Sequence, residues 1–374
     1  MDRDELLYPM ALTMLQDIGA ITAKKLIAYV GSPEGVFKEK TTTLMLIPGI
    51  GQYLAGKIKP DVMLRKAENE INNMRRNGIS SLYFEEPDYP WKLKNCDDGP
   101  VLLFYKGKNE FNRTKYLSIV GTRNATAYGR ETCKEIIASL SSRYPELIIV
   151  SGLAYGIDIT AHRASLDFGL DTFAVLAHGL NTIYPSLHRE SAFKITRQGA
   201  LASDFHSTIK PERNNFLRRN RIIAGLSDAT LVIESARKGG SLITAEMASS
   251  YSREVFALPG RSDDTYSAGC NSLIKRNVAA LIESAEDIET LLNWEVVEPA
   301  KPAYVQLKIA LSDQERAILE IIRDSPLAGP EIIGIRANMA LPKLLALLLQ
   351  MELRNWISVQ PGNTYRLSVK LPEL

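Results

Sequence analysis

The chain has 374 residues, more than one ordinary hydrophobic core supports, so two or three domains are expected. A composition of 45% hydrophobic and 24% charged residues excludes a disordered or fibrous protein. Its 45 basic and 43 acidic side chains leave a formal net charge of only +2, so any nucleic-acid site must come from local clustering of cations.

The chain opens with MDRDELLYPMALTML, which is acidic, has no long apolar stretch and does not read as a signal peptide. No apolar run reaches membrane-spanning length. Cys96, Cys133 and Cys270 are scattered, with no CxxC and no Cys/His cluster. These features argue against a disulfide framework, a zinc site and an oxidising compartment, and a cytoplasmic protein with no membrane association is expected.

Residues 1–80 read as a small helical domain containing two similar phrases, IGAITAKKLI (Ile18–Ile27) and IPGIGQYLAGKI (Ile47–Ile58). A connector, 81–114, carries turn residues at Glu86–Pro90 and Asp97–Pro100, then a short strand at Val101–Tyr105. From 115 to 294, short apolar runs alternate with amphipathic segments. The runs are Tyr116–Val120, Leu147–Val150, Thr172–Leu176, Thr230–Ile233, Glu254–Leu258 and Val278–Ile282. They are rich in β-branched residues and nearly continuously apolar, as strands covered on both faces must be. Between the first two, Cys133, Ile136, Ile137 and Leu140 recur at helical spacing. The alternation predicts an α/β domain with a doubly wound parallel sheet of Rossmann type.

A linker at 295–305 contains Pro299 and Pro302 and precedes a last domain, 306–374. Ser312-Asp-Gln-Glu315 reads as a capping box opening a helix. A Leu-rich helix follows at Leu341–Leu353, and two strands, Trp356–Val359 and Thr364–Leu367, flank a turn at Pro361–Asn363. Helices followed by a small β-ribbon predict a winged-helix-like domain.

In parallel α/β sheets, ligands collect where glycine-rich turns and helix N-termini expose N–H groups at the carboxyl ends of the strands. Three such turns combine glycine, hydroxyl or cation: GTRNATAYG (Gly121–Gly129), SGLAYGID (Ser151–Asp158) and ESARKGGSLIT (Glu234–Thr244). Each alone is as compatible with a tight connection as with a binding site; three at one sheet edge point to phosphate. The segment KPERNNFLRRNR (Lys210–Arg221) then concentrates cations in a nearly neutral protein. On a helix of about 100° per residue, Phe216, Ile222, Ile223 and Leu226 share an arc with Arg219 at its middle. Arg221 projects from the opposite side and Arg218 from the flank. A coreward Arg219 needs a carboxylate or phosphate partner, with Asp204 and Glu234 the internal candidates. Arg221 is expected to serve DNA binding with little role in stability.

The blocks GTRNATAYG, SGLAYGIDITAH, FLRRNRIIAGLS, ESARKGGSLITAE and VFALPG resemble the signature blocks of the DprA/Smf DNA-processing family, and YPWKL and VLLFYKG fit its lead-in. The resemblance runs from about Tyr89 to Leu292. It implies an extended Rossmann domain that binds single-stranded DNA, forms a homodimer, protects incoming DNA and helps load the RecA recombinase in natural transformation and recombination. Carried onto this sequence, the nucleic-acid-binding positions are Gly121, Arg123, Thr126, Ser151, Gly152, Phe216, Arg218, Arg219, Asn220, Arg221, Lys238, Gly240 and Ser241. No catalytic residue, metal or cofactor is implied. The sequence departs from the family pattern at Leu217, where proline is usual, at His188, where asparagine is common, and at Ala177 and His178. The bulkier His178 is expected at a strand end, where it could narrow the pocket.

The flanking domains leave alternatives open. The Ile47–Ile58 phrase resembles a helix-hairpin-helix, whose glycine turn offers N–H groups to a DNA phosphate. The family's sterile-alpha-like N-terminal domain uses similar helices for packing alone. The Leu341–Leu353 helix has one cation, Lys343, too few for a major-groove helix, so a packing or protein-contact role is expected. The four histidines, His162, His178, His188 and His206, read as structural, since GxSxG, P-loop and HExxH motifs are absent. The rival to a non-enzymatic binder is a nucleotide-processing hydrolase of the lysine-decarboxylase-like (LOG) type. Its foothold is Gly239-Gly240 with Thr244 and Glu246. A protein-only adaptor with a vestigial pocket is a third reading.

Overall fold

The computed structural model describes residues 3–294, 312–325, 328–354, 356–360 and 364–367. They fall into two compact units, Met1–Ala300 and Lys301–Leu374. The first unit begins with helices α1 (Arg3–Thr13), α2 (Ala20–Val30), α3 (Pro33–Lys38), α4 (Thr41–Leu44), α5 (Gln52–Ala55) and α6 (Pro60–Arg76). Strand β1 (Ser80–Tyr83), helix α7 (Trp91–Lys94) and β2 (Leu102–Gly107) lead into the sheet. The alternating core follows: β3 (Tyr116–Val120), α8 (Ala127–Arg143), β4 (Ile148–Ser151), α9 (Ile157–Asp167), β5 (Thr172–Val175), α10 (Arg189–Gln198) and β6 (Ala200–Ser203). Then come α11 (Arg213–Leu226), β7 (Ala229–Val232), α12 (Gly240–Ser250), β8 (Glu254–Ala257), α13 (Ala268–Lys275), β9 (Ala280–Leu281) and α14 (Ala285–Leu291).

The nine strands form one sheet in the order β1-β2-β6-β5-β4-β3-β7-β8-β9. From β6 to β9 every pairing is parallel, while β2 runs antiparallel to both β1 and β6. The expected doubly wound parallel sheet is present, with the connector strand on its antiparallel side. Two strands, β1 and β6, lie outside the runs legible in the sequence. β6 is Ala-Leu-Ala-Ser, too short and small-chained to stand out as an apolar run, yet it is buried throughout between β5 and β2.

The two faces of β3 show how the layers form. Leu117 and Ile119 pack with Cys133, Ile136, Ile137 and Leu140 of α8, the four residues of the expected helical stripe. Tyr116 and Val120 point the other way, into the core made with Ile222, Ile223 and Leu226 of α11 and Leu242 and Ala245 of α12. Fully burying a large aliphatic side chain contributes roughly 1.5–3 kcal/mol, so the α8 stripe alone holds that helix firmly to the sheet. The N-terminal helices share a further core with the antiparallel side of the sheet, where Met10, Leu26 and Ile71 join Phe104, Leu176 and Leu201. Buried Glu70 of α6 accepts hydrogen bonds from the Ser207 amide (2.7 Å) and hydroxyl (2.5 Å).

From β3 the chain winds outward through β4, β5 and β6, then returns along α11 to enter β7 on the other side of β3. The strand order therefore reverses at β3/β7, the topological switch point at which open α/β sheets form a crevice.

The second unit contains α15 (Asp313–Asp324), α16 (Pro330–Arg336), α17 (Leu341–Leu353) and the antiparallel pair β10 (Ile357–Gln360) and β11 (Thr364–Leu367). The Ser312–Glu315 capping box opens α15 as expected, with Glu315 accepting from the Ser312 amide at 2.8 Å. Ile318, Ile322, Leu344, Leu348, Met351 and Tyr365 form its core. The 295–305 linker and the Pro361–Asn363 turn lie outside the described residues.

Candidate nucleic-acid interface

A cleft of about 650 Å³ opens outside the carboxyl ends of β3 and β7. Its walls are the Gly121–Arg123 turn after β3, the Ser235–Ser241 turn leading into α12, and the face of α11 bearing Phe216, Arg219 and Asn220. Tyr184, from the loop after β5, completes the mouth.

The floor is ionic and buried. Arg219 is only 3% exposed, and its guanidinium donates to the Gly152 carbonyl at 2.8 Å and to the Val175 carbonyl. Its Nε donates to Asn220 Oδ1 at 3.2 Å. A Cβ on Gly152 would stand 2.5 Å from the Arg219 Nη2, so glycine is what allows the close approach. Asp158 is buried beside this arginine. Burial pushes its carboxyl pKa up against the pull of Arg219, and burial brings Arg219 down to about 10 against the pull of Asp158. Each charge limits the cost of burying the other.

The rim is open and cationic. Arg123, Arg213 and Lys238 are exposed, and none of them pairs with a carboxylate among the described residues. The Arg123 guanidinium lies over the Phe216 ring, 5.2 Å from its centre. The Tyr184 ring is 6.0 Å from Phe216 and tilted by 55°, extending the aromatic surface. Helix α12 begins at Gly239–Gly240 without a side-chain cap, and the space beside Gly240 is open. Its first-turn N–H groups therefore face the cleft unclaimed by a side chain.

Of the sequence-predicted positions, Gly121, Arg123, Phe216, Arg219, Asn220, Lys238, Gly240 and Ser241 line the cleft. The other five do not. Arg221 is not a free cation: its side chain is 13% exposed, pairs with Asp204 and donates to the Asp98 carbonyl. The helical spacing correctly turns it away from Arg219, but that side of α11 faces the connector and not solvent. Arg218 is exposed over Phe205, 5.2 Å from the ring centre. Ser151 is fully buried and spends its hydroxyl on the Ile119 carbonyl at 2.6 Å. Gly152 gives its carbonyl to Arg219, and its amide holds Asp158. Thr126 is engaged by Glu234 through both amide (2.9 Å) and hydroxyl (2.5 Å). Neither expected partner of Arg219 reaches it, since Asp204 takes Arg221 and Glu234 takes Thr126.

Sequence reasoning singles out neither Arg213 nor Tyr184, and it does not foresee Asp158 as the carboxylate beside Arg219. Arg213 lies within the basic segment and is the first residue of α11, so a helix-start reading could have found it. Tyr184 lies outside the glycine turns and carries no local signal. His178 is buried with Nδ1 against the Gly179 carbonyl at 2.9 Å, outside the cleft lining, so it does not narrow the pocket. His162 Nδ1 is 2.7 Å from Thr172 Oγ1, and His188 Nδ1 is 2.8 Å from the Leu153 carbonyl. Glu246, needed by the hydrolase reading, is exposed beside Arg276 at 3.3 Å and outside the cleft lining.

A family model described as DNA recombination-mediator protein A matches residues 80–293, and the DprA winged helix domain matches residues 299–363. The chain belongs to the DNA recombination-mediator protein A family. Within the DprA/Smf family it is 36% identical over 321 residues to protein Smf of Escherichia coli strain K12, covering 81% of this chain and 84% of that one. It is 40% identical over 200 residues to the DNA processing protein DprA of Streptococcus pneumoniae, covering 54% and 70%. The solved structure of that S. pneumoniae DprA matches with a TM-score of 0.65 at 31% identity, over 76% of this chain and 97% of that one. The DNA processing protein A of Helicobacter pylori, described for its unique single-stranded DNA binding mode, matches with a TM-score of 0.52 at 28% identity, over 57% and 96%. Membership of the DprA/Smf family assigns the chain to DNA processing in recombination, and its C-terminal unit is a winged helix.

Proposed function

We propose that this DprA/Smf-family chain binds single-stranded DNA in the β3/β7 cleft, without catalysis. The observation that carries the reading is a switch-point crevice with three exposed cations, Arg123, Arg213 and Lys238, that pair with no carboxylate among the described residues, around the Phe216–Tyr184 aromatic surface. Phosphates meet the cations and the α12 amides, while bases stack on the rings. Stacking is sequence-tolerant because every base has a π-face. A duplex hides those faces, so single strands are preferred. The H. pylori relative supports the reading. Among the thirteen sequence-predicted positions, Gly121, Arg123, Phe216, Asn220, Lys238 and Gly240 are proposed as direct contacts, buried Ser151, Gly152, Arg219 and Ser241 as the support of the cleft, and Thr126, Arg218 and Arg221 lie outside it.

Within the same proposal, the protein acts in the cytoplasm as a homodimer that protects incoming DNA and hands it to a RecA-type recombinase. The family's recombination role supports this, as do three free, buried cysteines. No single helix among the described residues is long and apolar enough to cross a membrane. The division into residues 1–80, 81–114, 115–294, 295–305 and 306–374 is proposed with it.

Titration of the protein against a fluorescent oligonucleotide at several salt concentrations tests the reading. Three cations at ~0.7 per phosphate contact predict a slope of log K against log[salt] of about −2 per protomer. Arg123→Ala and Lys238→Ala should each flatten the slope, and the same incubation should release no base or fragment. A flat salt response, or equal affinity for blunt duplex, overturns the proposal.

A further inference from the structure

In doubly wound folds the turn after the first strand at the switch point delivers a nucleotide's phosphates to the N-terminus of the following helix. Here that helix is α8, and its N-terminus is filled from within. The Glu234 side chain, 4% exposed, reaches across from the end of β7 and places one oxygen 2.9 Å from the Thr126 amide and the other 2.5 Å from the Thr126 hydroxyl. That hydroxyl in turn caps the helix by accepting from the Gly129 amide at 3.1 Å. The first turn of α8 has closed on the carboxylate: a Cβ on Gly129 would stand 2.4 Å from Glu234 Cδ and 2.5 Å from one of its oxygens. The Glu234 main chain joins in, its carbonyl accepting from the Thr122 amide at 2.7 Å.

We propose that Glu234 determines what the cleft accepts: its carboxylate occupies the seat of a nucleotide phosphate and denies the α8 N-terminus to free nucleotides and pyrophosphate. A helix N-terminus favours one anion, and this one already has it. A phosphate arriving there would meet a buried negative charge and displace its two hydrogen bonds from Thr126. The remaining phosphate-binding groups, α12 and the rim cations, lie along an open cleft instead of at a closed seat. That arrangement suits a phosphodiester chain passing through. The closed seat stands by itself; what the cleft takes instead rests on the single-strand reading above.

The test uses full-length protein and pyrophosphate as the probe, at low salt. Amide resonances of Thr126 and Gly129 in the wild type should not respond to pyrophosphate, even if weak binding at the rim moves signals elsewhere. Glu234→Ala should open the seat, so that both amides respond and pyrophosphate binds at least about tenfold more tightly. Glu234→Ser retains a small acceptor for Thr126 and serves if the alanine variant fails to fold. Wild-type Thr126 and Gly129 amides that shift on pyrophosphate addition overturn the proposal without any variant. A folded variant with no gain overturns it too. Oligonucleotide affinity, measured in parallel on the wild type, separates the two claims. Loss of single-strand binding there removes the DNA reading and leaves the closed seat intact.

Discussion

Arg219 and Arg221 stand two positions apart on α11, and different groups hold them. Arg219 leans on the strand-end carbonyls of Gly152 and Val175 with Asp158 nearby, whereas Arg221 is bound to Asp204 and the Asp98 carbonyl. Truncating either leaves buried polar groups unpaired, so Arg219→Ala and Arg221→Ala should each destabilise the fold by about 3 kcal/mol or more. Exposed Arg123→Ala and Lys238→Ala should leave the melting temperature nearly unchanged while weakening DNA binding. Urea melts of the four variants check this, and an unchanged Arg221→Ala midpoint would mean its ion pair is not formed. The burial of Arg219 was legible because periodicity governs a helix face. The pairing of Arg221 was not, since its partners lie 17 and 123 positions away in sequence.

His162 makes a second prediction at this scale. Burial, with the nearby Arg219 charge, holds its imidazole neutral down to a pKa of about 3, against 6.5 for the free side chain. The unfolded chain takes up that proton near pH 6.5 and the folded chain only near pH 3. Its contribution is therefore complete above pH 6.5 and lost as the pH falls toward 3, at up to ~1.4 kcal/mol per pH unit. Burial also lowers His178 and His206, which add in the same direction. The stability of His162→Gln should fall less steeply than wild type between pH 6 and 4 (roughly one proton less per molecule). Parallel stability–pH curves for the two proteins would contradict this.

At the scale of elements, the apolar runs predicted most of the parallel strands because buried strands must be apolar on both faces. β6 escaped because its neighbours, not its own composition, make it a strand. The glycine turns were legible as turns but not as to what they approach. Gly152 is the clearest case: no sequence pattern says that an arginine from α11, 67 positions on, will rest against it. Gly152→Ala would force the guanidinium off two carbonyls and push α11 away from the ends of β4 and β5. Overpacking of this kind costs typically 1–3 kcal/mol. Because α11 also carries Phe216 and Asn220, the variant should lose both melting temperature and oligonucleotide affinity. If melting falls but affinity holds, α11 does not position the binding face.

For the molecule as a whole, the question is which unit holds DNA. Every residue lining the cleft lies between Val120 and Thr244, within the unit Met1–Ala300. The winged helix was legible from its capping box and its terminal pair of strands, and so was the want of cations on its longest helix. Leu341, Leu345, Leu349 and Leu353 form an exposed stripe on α17, with Lys343 the only basic residue of that helix. A groove-reading helix needs polar and basic reach, which this face lacks. Removal of everything after residue 299 should therefore leave single-strand affinity largely intact. Avidity complicates the comparison, because two cleft sites in a dimer can hold one strand far more tightly than either alone. Oligomeric state must be measured beside affinity, by light scattering on the truncated and full-length proteins at the titration concentrations. Loss of affinity together with loss of the dimer would make the winged helix an assembly element, its leucine stripe the first surface to mutate. A truncated protein that remains dimeric yet no longer binds single strands would place the DNA reader in the C-terminal unit and remove the cleft from that role.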